Sequence, residues 1–160
     1  MRTSSTKDSQ TIITHRDDSK IYADEIVKRL GVPWVALGRG PDGFDCWGFV
    51  ISVWRALGWT SAPDFPYGSD FSERRNALVS IVEEKKVHDN KWVLIDRPLN
   101  LCLCVMFKYG HAYHVGVYVD GVVFHCVEHK GVLGTTIAKT KTLGYEKIEF
   151  YDNEDMPWLS

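Results

Sequence analysis

Apolar residues along the chain follow two successive rhythms, a helical one and then an alternating one. From Ser19, the positions Ile21, Ala23, Ile26, Val27 and Leu30 recur at near-helical spacing until Gly31, with Pro33 just behind. This predicts a short amphipathic helix with a glycine C-cap. Gly38, Gly40, Pro41 and Gly43 then interrupt regular structure as far as Asp45. After that aspartate, a good N-cap, Trp47, Val50, Ile51, Trp54 and Leu57 recur at helical spacing and Gly58 closes the run, which predicts a second, buried helix. The stretch TSAPDFPYGSD is punctuated like a loop, and Ser72 is placed to cap a third helix through about Val87, with Leu78, Val79, Ile81 and Val82 on its apolar face. Beyond Lys91 the composition changes to strand formers, WVLI, LCLCVMF, HVGVYV, VVFHCV and a final KIEFY, separated by turns. Helices first and antiparallel strands afterwards predict an α+β fold with the helices packed on one face of a sheet.

The sharpest local signal is Asp120-Gly121 between two apolar runs, which reads as a two-residue hairpin turn. It sets Val119 opposite Val122, Tyr118 opposite Val123, Val117 opposite Phe124 and Gly116 opposite His125. Because side chains alternate faces, His114, Gly116 and Tyr118 share a face with Val123, His125 and Val127, while Cys126 points the other way. His114 and His125 become diagonal neighbours, about 7 to 8 Å apart at the backbone, and Gly116 leaves the space between them open.

At 160 residues the chain suits one domain that buries a core without metal or disulfide staples. Residues 1–18 are polar with little periodicity and read as a flexible arm, so the domain is expected over 19–155. The 19 basic and 21 acidic residues nearly cancel, to a formal net charge of -2. No Lys/Arg cluster is dense enough for a phosphate footprint, so nucleic acid is not an expected partner. Residues 1–20 lack the apolar core of a signal peptide and no run of apolar residues is long enough to span a membrane. Synthesis in the cytoplasm of the producing cell is the corresponding expectation. With Cys46, Cys102, Cys104 and Cys126 as the only cysteines, free thiols are expected rather than a disulfide framework.

Composition leaves the question of what Cys46 does in PDGFDCWGFV. A cysteine in the first turn of a helix meets the positive end of the macrodipole and nearby backbone N–H groups, both of which favour thiolate. Taken alone it is better read as a small buried apolar residue, and something else must point to function. A nucleophilic cysteine needs a base, commonly an imidazole held by a third polar group, and His114 with His125 is such a pair. Each histidine alone is better read as a satisfied, partly buried side chain; two on one face of an apolar hairpin shift the reading toward function. A zinc site was the other chemistry open to these residues, with Cys102 and Cys104 on one strand face and ligand-like spacings at His111/His114 and His125/His129. No compact C-x₂-C pair exists, however, and strand parity sets Cys126 away from the histidines.

The block GVPWVALGRGPDGFDCWGFV, followed downstream by HVGVYVDGVVFHCVEHKGV, resembles the NlpC/P60 family of papain-like cysteine peptidases. The variant DCWG is similar to that of phage tail-assembly members. The resemblance is specific over roughly Gly31–Gly58 and His111–Gly131. It implies a helix bearing the nucleophile packed on an antiparallel sheet bearing the base. By position Cys46 matches the nucleophile, His114 the base and His125 the third residue, with the Cys46 N–H at the oxyanion. Two places depart from the family pattern. Trp34 stands where members usually carry tyrosine, and Leu-Cys-Leu-Cys stands where a Gly-Asp turn usually precedes the strand at Cys102.

The resemblance implies hydrolysis of a peptidoglycan stem peptide between D-glutamyl and a diamino acid, with no metal or organic cofactor. Trp34, Arg39, Trp47, Tyr113 and Tyr118 are the expected substrate-binding residues, Arg39 by pairing with a substrate carboxylate, although an ordinary surface arginine is the simpler reading of that position. Two further readings keep the fold. One is a non-catalytic tail or wall-binding protein. The other is an acyltransferase or deamidase that uses the same thiol. The tail resemblance makes other phage tail proteins the expected protein partners, and the tail or the cell wall the expected place of action.

Overall fold

The computed structural model describes residues 16, 18–64, 79 and 91–159. Among them, three helices and six strands run in the order α1 (Ser19–Val27), α2 (Cys46–Ala56), β1 (Trp92–Ile95), β2 (Leu103–Lys108), β3 (His111–Val119), β4 (Val122–Val127), β5 (Gly131–Thr136), α3 (Ile137–Thr142) and β6 (Lys147–Asn153). Of the helix expected over Ser72 to Val87, Val79, which packs against the core, is the one described residue.

Helix α2 forms as its sequence demands. Asp45 has extended backbone and its side chain accepts from the Gly48 N–H at 2.7 Å, while its carbonyl accepts from Phe49, which satisfies donors that a helix start otherwise leaves bare. Nearly every residue from Cys46 to Trp54 is buried, as the dense apolar run requires. Helix α1 departs from expectation. It ends at Val27, and it buries Tyr22 and Ile26 while Ile21, Val27 and Leu30 stay exposed. The chain leaves the helix early because Gly31, at φ +82°, turns into a bridge with β5. There its N–H donates to the Val132 carbonyl, and Val32 accepts from the Val132 N–H.

All strand pairings are antiparallel, in the order β1-β6-β2-β3-β4-β5. One sheet face carries Leu103, Val105, Phe107, Val115, Val117, Val119 and Cys126 against α1 and α2. The other carries Cys104, Met106 and Val123, with Tyr118, Ile148 and Phe150. Ile137 and Leu143, from α3 and just after it, together with Tyr145 close part of that second face, so helical structure is not confined to one side as the sequence order suggested. A five-tryptophan array of Trp47, Trp54, Trp59, Trp92 and Trp158 joins α2 to β1 and the C-terminal tail, with ring centroids 5.0 Å apart for Trp54 and Trp59.

Contacts reach past both ends of the expected 19–155 span. Arg16, assigned to the arm, forms a two-pronged ion pair with Asp152 of β6, and its carbonyl accepts from Asn100. Met156 and Trp158 are buried. No helix among the described residues is long and apolar enough to cross a membrane.

Candidate active site

The β3–β4 hairpin adopts the register that its Asp-Gly turn dictates, Val119 with Val122, Tyr118 with Val123 and Val117 with Phe124, and the ladder stops there. Gly116 and His125, expected as the next pair, lie just beyond it. In this opening the two imidazoles meet. His114 Nε2 and His125 Nδ1 are 2.9 Å apart, and His125 Nε2 is 3.1 Å from Thr135 Oγ1 on β5. Tyr145 stacks flat on His114, with centroids 5.5 Å apart and planes 5° apart. His125 is fully buried and His114 nearly so. Burial pushes the His125 pKa down to about 4, so this imidazole is neutral at neutral pH.

The place of Gly116 in this arrangement is steric. A Cβ there would stand 2.7 Å from the Phe124 carbonyl and 3.2 Å from His125 Cβ, so a side chain would wedge the hairpin apart where the histidines meet.

Cys46 opens α2 on the opposite sheet face and is completely buried. It is nevertheless beside the hairpin. The Cys126 thiol, one residue from His125, donates to the Phe44 carbonyl at 3.3 Å. Burial, then the charges of Cys46 and Asp45, push the Cys126 pKa up to about 12. Cys126 is thus an inert thiol beside the helix start. Cys102 and Cys104 sit under the second sheet face, where burial and their mutual proximity raise the Cys104 pKa well above its ordinary value. Among the described residues no group of three His, Cys, Asp or Glu side chains is arranged to hold a metal ion.

A cavity of about 480 Å³ opens over His114. Trp34, Tyr113, His114, Thr135 and Tyr145 line it, as do Lys108, Lys130 and Lys139. Of the residues expected at a substrate site, Trp34 and Tyr113 are therefore present. Trp34 also pairs through its backbone with Phe44, two residues before Cys46, and packs on the core that includes Cys46.

Arg39, Trp47 and Tyr118 do not line this cavity. Arg39 Nη1 binds Asp45 Oδ1 and the Gly38 carbonyl, each at 2.9 Å, and its other nitrogens grip both Asp64 oxygens at 3.0 Å. It ties the loop to the cap of α2. Trp47 is buried in the tryptophan array and donates to the Pro63 carbonyl. Tyr118 packs on Phe150 under the second face.

Thr135, Tyr145 and Lys108 were not found by sequence reasoning. Thr135 was missed because GVLGTT, with its glycines, was not read as a strand. A weak signal existed in the alternation of Val132, Gly134 and Thr136 with Leu133 and Thr135.

The profile of the NlpC/P60 family matches residues 31–147. No curated protein sequence matches the chain. Among solved structures, the chain is similar to the NlpC/P60 domain of the peptidoglycan hydrolase SagA, with 18% identity over 83% of this chain and 97% of that one, and a TM-score of 0.51. It is similar also to an NlpC/P60 family protein from Bacillus cereus ATCC 10987, with 16% identity, 90% of this chain covered and a TM-score of 0.53. The chain spans 42% of that protein's length. The match across α2, the central strands and the start of β6 shows that this chain belongs to the NlpC/P60 family.

Proposed function

We propose that the protein is a cysteine endopeptidase acting on peptidoglycan stem peptides at the amide between D-glutamyl and a diamino acid, with Cys46, His114 and His125 as its triad. The observation that carries this reading is the polar chain His114–His125–Thr135 at a cavity wall, next to a helix that presents a cysteine in its first turn.

The roles follow from counting nitrogens. His114 Nε2 is taken up by His125, and Nδ1 is assigned as the atom that accepts the Cys46 proton. For Nδ1 to be a base, Nε2 must carry hydrogen and donate it to His125 Nδ1. Neutral His125 then carries its own hydrogen on Nε2 and donates to Thr135 Oγ1. A single set of tautomers satisfies the whole chain, with Thr135 positioning His125 and His125 positioning His114.

The Cys46 thiolate attacks the glutamyl carbonyl carbon, and the oxyanion forms toward the Cys46 N–H. The C–N bond breaks as His114 returns its proton to the leaving amine, which gives a thioester. His114 then takes a proton from water as the water oxygen attacks, and the carboxylate departs from the regenerated thiol. Stacked Tyr145 holds the imidazole plane through both half-reactions. A neutral imidazole stabilises the imidazolium less than a carboxylate would, so the pair depends on the helix dipole and the neighbouring amides for its remaining stabilisation.

The DCWG resemblance supports a phage-tail setting, in which the enzyme reaches the wall as part of a tail or after release. A second reading is favoured by one observation: Cys46 is fully buried and is not among the residues that line the cavity. On that reading the domain binds wall peptides without turnover. Mass spectrometry of defined muropeptides with meso-diaminopimelate or lysine at position three, incubated with wild type and Cys46→Ala, separates the two. Scission at the D-glutamyl bond by wild type alone supports the peptidase; intact peptide from both supports the binding protein.

A further inference from the structure

The cavity wall contains a cation with no role in the proton chain. Lys108, at the end of β2, places its ammonium 5.6 Å from the Tyr109 ring centroid, 5.3 Å from Tyr113 and 5.8 Å from Tyr145. Among the described residues no carboxylate pairs with it. Elsewhere in the molecule partly buried cations are matched: Arg16 by Asp152, Arg29 by Glu25, Arg39 by Asp45 and Asp64. Lys108 is instead held by ring faces, which attract the ammonium without neutralising its charge. Tyr145 is the ring that stacks on His114, so the charge stands one ring away from the base. Lys130 and Lys139 line the same cavity, against Glu128 as the acidic member, and the local field is positive.

We propose that Lys108 is a specificity residue that recognises a substrate carboxylate next to the scissile amide. The cleaved class is therefore peptides with a free carboxylate on the D-glutamyl residue, and the corresponding carboxamides are discriminated against. The inference rests on the peptidase reading for the identity of the peptide, but not for the anion preference itself. A carboxylate forms a charge-assisted hydrogen bond with this ammonium, whose charge the rings leave unneutralised. A carboxamide offers the same shape without the charge. The rings also restrict a side chain that ordinarily loses much rotamer freedom on binding.

The test compares two stem tetrapeptides that differ only in carrying carboxylate or carboxamide on the D-glutamyl α-carbon. Their kcat/KM is measured with wild type, Lys108→Met and Lys108→Arg. Their binding to Cys46→Ala, with and without Lys108→Met, is followed by calorimetry. Wild type is expected to favour the carboxylate by about tenfold or more, Lys108→Met to bring that ratio toward one, and Lys108→Arg to keep most of it. The preference should also shrink as salt is raised. If Lys108→Met does not fold, Lys108→Gln takes its place.

A ratio unchanged by loss of the lysine, or one that collapses instead in Lys130→Met or Lys139→Met, overturns the proposal even while cleavage stands. Binding that prefers carboxylate through Lys108 with no cleavage of either peptide overturns the peptidase reading and leaves the lysine's role intact. Absence of both binding and cleavage overturns both.

Discussion

Burial holds the His125 pKa near 4, against an ordinary value of 6.5, and this has a consequence for stability. Between those values the unfolded chain takes up the proton and the native chain does not, so the unfolded state binds more protons and stability rises with pH across that window. The contribution is complete above the unfolded value and is lost as pH falls toward about 4, with an amplitude of about 3 kcal/mol. Urea midpoints at about pH 4.5 and about pH 7.5 should therefore differ less for His125→Asn than for wild type; equal differences would count against a buried neutral imidazole. Thr135 extends the same logic. Thr135→Val leaves a buried N–H without its acceptor, at roughly 1–3 kcal/mol, and, on the proposed triad, releases the tautomer that keeps His114 Nδ1 basic. We expect kcat to fall by about tenfold with little change in KM, and Thr135→Ser to restore it. A KM effect alone would assign Thr135 to the cavity wall only.

At the scale of elements, the start of α2 is held by interlocking contacts. Asp45 caps Gly48 and accepts from Arg39, which in turn binds Gly38 and Asp64. Gly48 is the point where loop and helix touch: a Cβ there would collide with the Gly38 carbonyl and stand 3.0 Å from Arg39 Nη1. Helix propensity favours alanine over glycine by about 1 kcal/mol, but the colliding atom is backbone and cannot move aside cheaply. The collision should win. Gly48→Ala is expected to destabilise by about 1–3 kcal/mol and to lower activity as the loop carrying Trp34 shifts, read by thermal unfolding and muropeptide cleavage. Stabilisation would mean that the loop yields freely. This helix and the β3–β4 hairpin are the elements most legible in the sequence, because an N-cap acts three residues away and a two-residue turn sets its own register. Helix α1 was harder to place. Ile21, Val27 and Leu30 fit a helical stripe as well as Tyr22 and Ile26 do, and only the partner surface selects which stripe is buried.

For the whole molecule, the tryptophan array joins segments far apart in the chain, and its members are unequal. Trp54 Nε1 donates to the Leu101 carbonyl at 3.0 Å, whereas Trp158 Nε1 is buried without a partner among the described residues. Trp54→Phe therefore leaves a carbonyl unsatisfied and should cost about 1–3 kcal/mol more than Trp158→Phe, which removes an orphaned donor along with the lost volume. Urea unfolding of the two variants checks the order, and the reverse order would contradict this account of the array.

The sequence by itself determined the α+β class, the capped helix that presents Cys46 and the pairing of His114 with His125. Each follows from interactions within a few residues or across one tight turn. The tertiary structure decided the rest. Pairing of β5 with β4 delivers Thr135 to His125, and the segment after β5 returns over the second face to lay Tyr145 on His114. Strand β6 inserts between β1 and β2, which the order of strands along the chain does not suggest. Arg39 was drawn to Asp45 and Asp64 rather than to the cavity, because a guanidinium near two fixed carboxylates gains more from them than from solvent. Side chains brought together by strand order leave no periodic trace in the sequence, and their partners are chosen only when the sheet closes.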